Sequence, residues 1–425
     1  MDDREAIAWL ARRAGFGLAP GALDAAAALG VAAVVDRLVD PDAHGVAVAP
    51  DPWAGLDLAF YAPTDPRGAA QRRPAILNWL GAMIATPRPL EEWMRWFWHG
   101  HFVSTLRTVK DAPLMVGQLR TLGAAGLGDF RSLLRAVTVD PAMLVYLDGD
   151  SSRVDGVNEN YGREVLELFA LGIGNYTEDD VRAGATALTG WTVDRRSQSA
   201  IFRPARHDGT PQTYLGRSGV HDVDSVLDAI VAHPACAPFV SGQLARAILG
   251  PDVGAGVLAD LAEGFAASGL QLRPLVRAIL AAGLAGSSTP LVLAPVPWMV
   301  ASIRSVGLDL TTLVRNPLLG LQAAGQVPMD APNVGGWPGG RAWLTSSGTL
   351  ARFSLAGSIA HAAPPDTPAR KAAAGGDLDA LAAALGRPSG LTEATRSALQ
   401  LLGTGPSAGV DVLTIALASP DLEIG

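Results

Sequence analysis

Apolar positions along the chain recur mostly at helical spacing, three or four residues apart. Residues 2–14 and 22–39 read as short Ala-rich amphipathic helices, and 73–85, 90–99, 111–124, 129–139 and 141–147 continue the pattern. A helix over 160–171 is stopped by Gly172. Thr177 stands as an N-cap for the next, which runs to Thr189 and ends at Gly190. Residues 191–218 break the rhythm: Trp191-Thr192-Val193, Ile201-Phe202-Arg203 and Thr213-Tyr214-Leu215 are β-prone runs between turn residues and predict a small hairpin. Helices resume over 222–232, 238–249, 257–268 and 274–282. Residues 43–67, 148–157 and 330–341 read as loops, and 362–377 as a linker or exposed loop. The fold class is mainly α, a large irregular multi-helix assembly with a β-hairpin-like insert around 191–218.

The longest uncharged stretch, 278–303, could span a bilayer by length alone. Gly286, Ser287, Ser288, Pro290, Pro295 and Pro297 interrupt it. It therefore reads as a short buried helix, a loop and a new helix near Pro297, with no membrane span.

Composition narrows the classes. Of 425 residues 49% are apolar and 17% charged, which excludes a disordered chain. The net charge of −8 removes a bulk basic footprint for nucleic acid. Cys236 is the single cysteine, so neither an intrachain disulfide nor a cysteine metal cluster can form. The start, Met1-Asp2-Asp3-Arg4-Glu5, is acidic with no apolar run behind it, and Ala-Gly-Phe-Gly follows Arg12-Arg13. Neither pattern is a secretory signal, so a cytoplasmic chain is expected.

Four segments could carry chemistry. On a helical wheel Asn160, Arg163, Glu164 and Glu167 share one polar stripe, with Val165, Leu166 and Phe169 opposite. Two carboxylates three residues apart beside an Arg suit a metal or a tuned acid/base pair; the plainer reading is a solvated face with an Arg–Glu pair. The second segment is Trp93-Met94-Arg95-Trp96-Phe97-Trp98-His99-Gly100-His101-Phe102. Its tryptophans belong in a core. His99 and His101 would point about 200° apart on a helix but to one side of an extended segment, which Gly100 permits. The third is His207-Asp208-Gly209, either a ligand pair or an Asx turn. The fourth, Ala331 to Trp343, holds Gly335, Gly336, Gly339 and Gly340 and reads as a clamp anchored by Trp337 and Trp343, not as a phosphate loop.

Together the motifs Arg12-Arg13-Ala14-Gly15-Phe16-Gly17, Phe97-Trp98-His99-Gly100-His101-Phe102, Asn158-Glu159-Asn160-Tyr161 with Arg163-Glu164 and Glu167-Leu168, Leu188-Thr189-Gly190-Trp191, and Pro332-Asn333 with Gly336-Trp337-Pro338-Gly339-Gly340 carry a resemblance. In this order they make the chain similar to the bacterial domain-of-unknown-function 1800 family. The resemblance implies one helical domain over 1–425, with the polar helix, the His pair and the Gly/Trp loop in one architecture. It also implies frequent export, and a partner from a neighbouring phosphatase-like family. The chain departs from that pattern in its acidic start and at Gln212, where a lysine is common.

Two functional readings follow. In the first, His99, His101, His207 and Asp208 hold a divalent metal, and Glu164, Glu167, Arg163 and Asn160 serve metal-assisted hydrolysis. In the second, Arg163, Glu164, Asn158 and Asn160 form a structural network in a non-catalytic binding or scaffold protein. A small-molecule or glycan ligand at Arg163, Trp191 and Trp337 is a further expectation.

Overall fold

A computed structural model describes residues 1–62, 64–313 and 316–425. Helices dominate, and they are short. Many begin where the sequence supplies an acceptor for their first free N–H groups. Asp2, Asp111, Asp129, Asp140 and Thr177 each cap the helix that follows. Thr177 and Asp180 close a reciprocal capping box. The expected 22–39 helix is two, Ala22–Ala27 and Val31–Val39, parted at Gly30. The stretch 278–303 breaks as its residues require. A helix over Leu272–Ala282 ends in a wide turn containing Gly286 at φ 95°, and a new helix starts at Pro295, two residues before the expected Pro297. Among the described residues no single helix is long and apolar enough to cross a membrane.

The β-prone insert makes two hairpins rather than one. β1 (Trp191–Asp194) pairs antiparallel with β2 (Ser199–Phe202), Trp191 opposite Phe202. β3 (Gln212–Tyr214) pairs with β4 (Arg217–Val220), with a bulge between Gln212 and Thr213. The segment expected as an exposed linker is also different. Pro368–Gly375 is a helix that buries Ala369, Ala372 and Ala373. Small apolar side chains let it lie close to the Pro406–Leu417 helix, where a Cβ on Gly409 would meet Ala374. Composition hid this, because Ala, Gly and Pro occur in tight helix contacts as well as in loops.

One contiguous cluster of buried apolar residues runs from Trp9 to Leu417. Its centre is the Pro89–His101 helix, which contributes Trp93, Trp96 and Trp98. Trp98 stacks on Phe102 and donates to the Gly126 carbonyl at 2.8 Å. The Gly-rich loop is a clamp on this helix: Trp337 stacks on Trp96 with ring centroids 5.1 Å apart. Gly336, at φ 84°, is required there because any Cβ would meet the Gly100 carbonyl.

The Arg12-Arg13 motif has a structural role. Arg13 is buried and donates to three carbonyls from distant parts of the chain: Ile248 at 3.0 Å, Thr289 at 2.7 Å and Gly425 at 2.6 Å. Burial, then the neighbouring Arg12, pushes its pKa down to about 10, so it stays a cation at neutral pH. Arg12 donates to the Gly386 carbonyl and pairs with Glu5 at 2.6 Å. Arg13→Leu leaves three acceptors without their donor. It is expected to lower unfolding free energy by about 3–5 kcal/mol. Denaturant unfolding checks this, and a loss below about 1 kcal/mol would contradict the clasp.

Candidate functional site

The two histidines of the tryptophan-rich segment lie on one unbroken helix that runs through Gly100. They therefore point to different sides, and the expected extended segment is not formed. His99 is fully buried between the rings of Trp79, Trp96 and Trp337. Its Nε2 accepts from the Met329 N–H at 3.1 Å, so the ring hydrogen sits on Nδ1, a buried atom with no partner. His101 packs against Phe97, Trp98, Phe102 and Phe169. Its Nε2 donates to the Phe169 carbonyl at 2.9 Å. Burial pushes the His99 pKa down to about 3 and the His101 pKa down to about 4, the Phe169 carbonyl opposing the second shift. Both rings are neutral near pH 7, and each spends Nε2 on a backbone group.

His207 repeats the theme. Its Nδ1 lies 3.0 Å from the Thr189 carbonyl, just past the end of the Glu178–Ala187 helix. Its ring sits edge-on to Phe202. The Asp208 N–H donates to Thr189 Oγ1 at 2.8 Å, and the Asp208 carboxylate accepts from the Thr210 N–H at 3.0 Å, an Asx turn. The Thr210 hydroxyl and N–H hold the Asp208 carboxyl below its usual range. Among the described residues no group of three or more His, Cys, Asp or Glu side chains could hold a metal ion. His99, His101, His207 and Asp208 are not brought together as a ligand set; each is committed to a different backbone segment.

The polar helix begins as expected and then changes pitch. Asn160–Glu164 is α-helical, but Val165–Ala170 is a wide π turn closed by Leu171 N–H on the Leu166 carbonyl at 3.0 Å. The wider turn rotates Glu167 away from the place an α wheel gives it. Asn158 Oδ1 accepts from the Asn160 N–H at 2.8 Å, and the Asn160 amide reaches Asp148 at 3.5 Å. Arg163 turns away from both acids of the stripe. It grips Glu178 with two nitrogens, at 2.6 and 2.8 Å, and lies 3.5 Å from Glu159. Glu167 accepts from the Tyr176 hydroxyl at 2.7 Å. Burial and this bond push the Tyr176 phenol up to about 12.

Glu164 is the exception. Half-buried, it has no hydrogen-bond partner among the described residues. Burial, then the like charge of Glu167, raises its pKa, against the pull of Arg163. Its charge in turn raises the pKa of Tyr146, after burial, with Arg107 opposing. Arg107 pairs with Asp330 in the Gly/Trp loop at 3.0 Å. Tyr146 and Arg107 thus share the electrostatic surroundings of the acidic helix, and neither has a recognisable spacing in the sequence. Tyr176 and Glu178 were equally silent, because both meet the stripe across a turn.

The architecture is a mainly α assembly with two small hairpins, in which a tryptophan helix, an acidic helix and a Gly/Trp clamp pack as one unit. The chain belongs to the family described as Protein of unknown function (DUF1800), whose model matches residues 9–423. No curated protein and no solved structure matches the chain.

Neutral buried imidazoles make the fold acid-sensitive. A histidine whose folded pKa is depressed stabilises fully above its unfolded value near 6.5 and loses that contribution as pH falls toward the folded value. Asp140, whose pKa burial pushes up to about 7, works in the opposite direction. The imidazole effect is therefore read as a difference. The stability gap between the native chain and His101→Gln is expected to shrink between pH 6 and pH 4.5, by up to about 1.4 kcal/mol per pH unit. A gap independent of pH would contradict a neutral, buried His101.

Proposed function

We propose that this chain is a binding or scaffold protein in which the 158–178 network is structural, not a metal-assisted hydrolase. The observation that carries this reading is that the described residues hold no group of three or more His, Cys, Asp or Glu side chains able to share a metal ion, while one nitrogen of each histidine offered for it is spent on the backbone. His99 Nε2 accepts from Met329, His101 donates to Phe169, and His207 faces the Thr189 carbonyl. Arg163, needed free to meet a substrate oxyanion, is closed bidentately by Glu178. These contacts fasten the acidic helix to the Glu178–Ala187 helix on one side and to the tryptophan helix on the other. A partner protein, such as the phosphatase-like neighbour implied by family resemblance, would then meet an outer surface.

The measurement is direct. Purified protein should retain less than about 0.1 equivalent of any transition metal, and added Zn²⁺, Mn²⁺ or chelator should leave its melting temperature unchanged. Stoichiometric metal, lost together with stability in His99→Ala, would overturn the reading. Because Glu178 is exposed and Arg163 partly so, their coupling in a double-mutant cycle should be no more than about 1 kcal/mol.

A second reading rests on Glu164 alone. A half-buried carboxylate without a hydrogen-bond partner among the described residues, its pKa raised by burial and by Glu167, has the properties of a metal-independent general acid or base. Glu164→Gln should stabilise the fold slightly if that acid is strained. It should abolish any hydrolytic activity found in a substrate screen, while Glu159→Gln leaves such activity intact.

A further inference from the structure

Away from the acidic helix lies a cavity of about 1270 Å³, larger than most small-molecule sites. Its walls are the Arg72–Ala85, Pro89–His101 and Ala112–Ala125 helices, and residues 48–52, 309–311, Leu313, Asn316 and Pro317 line the rest. Small side chains create the space. Leu77, Gly81 and Ala85 follow one another along one helix face, and a Cβ on Gly81 would meet nothing within 4 Å. A glycine inside a helix costs about 0.5–1 kcal/mol relative to alanine, and here no packing contact requires it.

The polar groups on the walls are unequally satisfied. Glu92 is buried with both carboxylate oxygens engaged, one by the Trp79 indole and one by Arg95 at 2.6 Å. Asp51 accepts from Arg120 at 2.6 Å and from the Trp53 N–H. Glu91 and Asp309 each have one oxygen engaged, by Arg88 and by Thr311. The guanidinium groups have more left to give. Arg95 and Arg120 each use one terminal nitrogen, and Arg73 has no partner among the described residues, while Arg95 Nε is unpartnered but closed off against Gly123. Arg95 and Arg120 both line the cavity, their guanidinium carbons 5.6 and 6.0 Å from the Trp53 ring. Gly123 makes room for this, since any Cβ there would collide with the Arg95 guanidinium.

A wall that offers spare N–H groups and has its own acceptors mostly occupied favours an acceptor-rich ligand, and the bare face at Leu77, Gly81 and Ala85 favours an apolar body. We propose that this cavity binds an amphipathic organic anion, its carboxylate or phosphate group at Arg95 and Arg120 with Arg73 beside them, and its apolar part along the Arg72–Ala85 helix. The site is separate from the Glu164 region and does not depend on the reading given above.

The test uses the full chain and displacement of 8-anilinonaphthalene-1-sulfonate, read by fluorescence. Decanoate and decyl phosphate should displace the probe saturably, at concentrations at least about tenfold below those of decanol, and the better of the two names the head group. Gly81→Phe fills the space and should abolish displacement without lowering the melting temperature. The exposed pair Arg73→Gln/Arg120→Gln, which keeps the core intact, should weaken both anions about tenfold and leave decanol unchanged. Equal displacement by all three compounds, no saturable binding, or an unaltered response in the arginine variant would overturn the proposal.

Discussion

The structure depends on one constraint: the Pro89–His101 helix stays helical through Gly100. Continuity fixes what each of its faces can do, because successive residues advance by about 100°. One face holds Glu92, Arg95, Trp96 and His99, spaced i, i+3, i+4 and i+7; Glu92 and Arg95 border the large cavity, and Trp96 and His99 pack against Trp79 and Trp337. The opposite face turns His101 toward Phe169 at the end of the acidic helix. Had the segment opened at Gly100, the two imidazoles would share a side, and the cavity wall and the clamp would lose their common support. Gly336, which lets the clamp rest on the Gly100 carbonyl, closes the helix from outside.

Much of the fold was legible because its signals are local. Asp111, Asp129 and Thr177 are caps that side chain and position alone identify, and the helices behind them lie within a residue or two of expectation. The failures have a different origin. The π turn at Val165–Ala170 leaves no mark in apolar spacing, and it alters the phase of Glu167. The Pro368–Gly375 helix is held by contacts of alanines with a helix about forty residues later, which composition cannot report. The candidate site was legible only as a list of residues. Its connections run through Tyr146, Tyr176, Glu178 and Met329, each supplied by a neighbouring element at no fixed sequence distance.

A chain built from many short helices has many helix ends, and each end leaves backbone groups without intrahelical partners. Much of the distinctive sequence answers that problem. Arg13 collects three carbonyls, His101 takes the Phe169 carbonyl, His207 meets Thr189, and His99 receives the Met329 N–H. These contacts join segments up to 412 residues apart. The residues that look most chemical are therefore spent on holding the backbone of an irregular assembly, and their protonation states suit that work. Imidazoles pushed well below their ordinary pKa stay neutral, so that one nitrogen donates and the other accepts.

Against that background, the polar groups left unengaged are the informative ones. A fold that recruits histidines and arginines from across the chain to satisfy single carbonyls leaves the Nε of Arg95, like those of Arg12, Arg13 and Arg352, buried without an acceptor, and leaves Glu164 half-buried without a donor among the described residues. Both arrangements oppose stability, and neither is forced by its helix, since Arg95 already reaches Glu92 and Glu164 stands one residue from an arginine that turns elsewhere. The two differ in setting. Arg95 borders a large cavity whose walls are short of free acceptors, which is a binding geometry. Glu164 is half-buried with the like charge of Glu167 nearby, an arrangement that raises its proton affinity instead of attracting an anion. Charge thus distinguishes the two settings: guanidinium groups with nitrogens to spare border the cavity, whereas Glu164 stands beside a second negative charge.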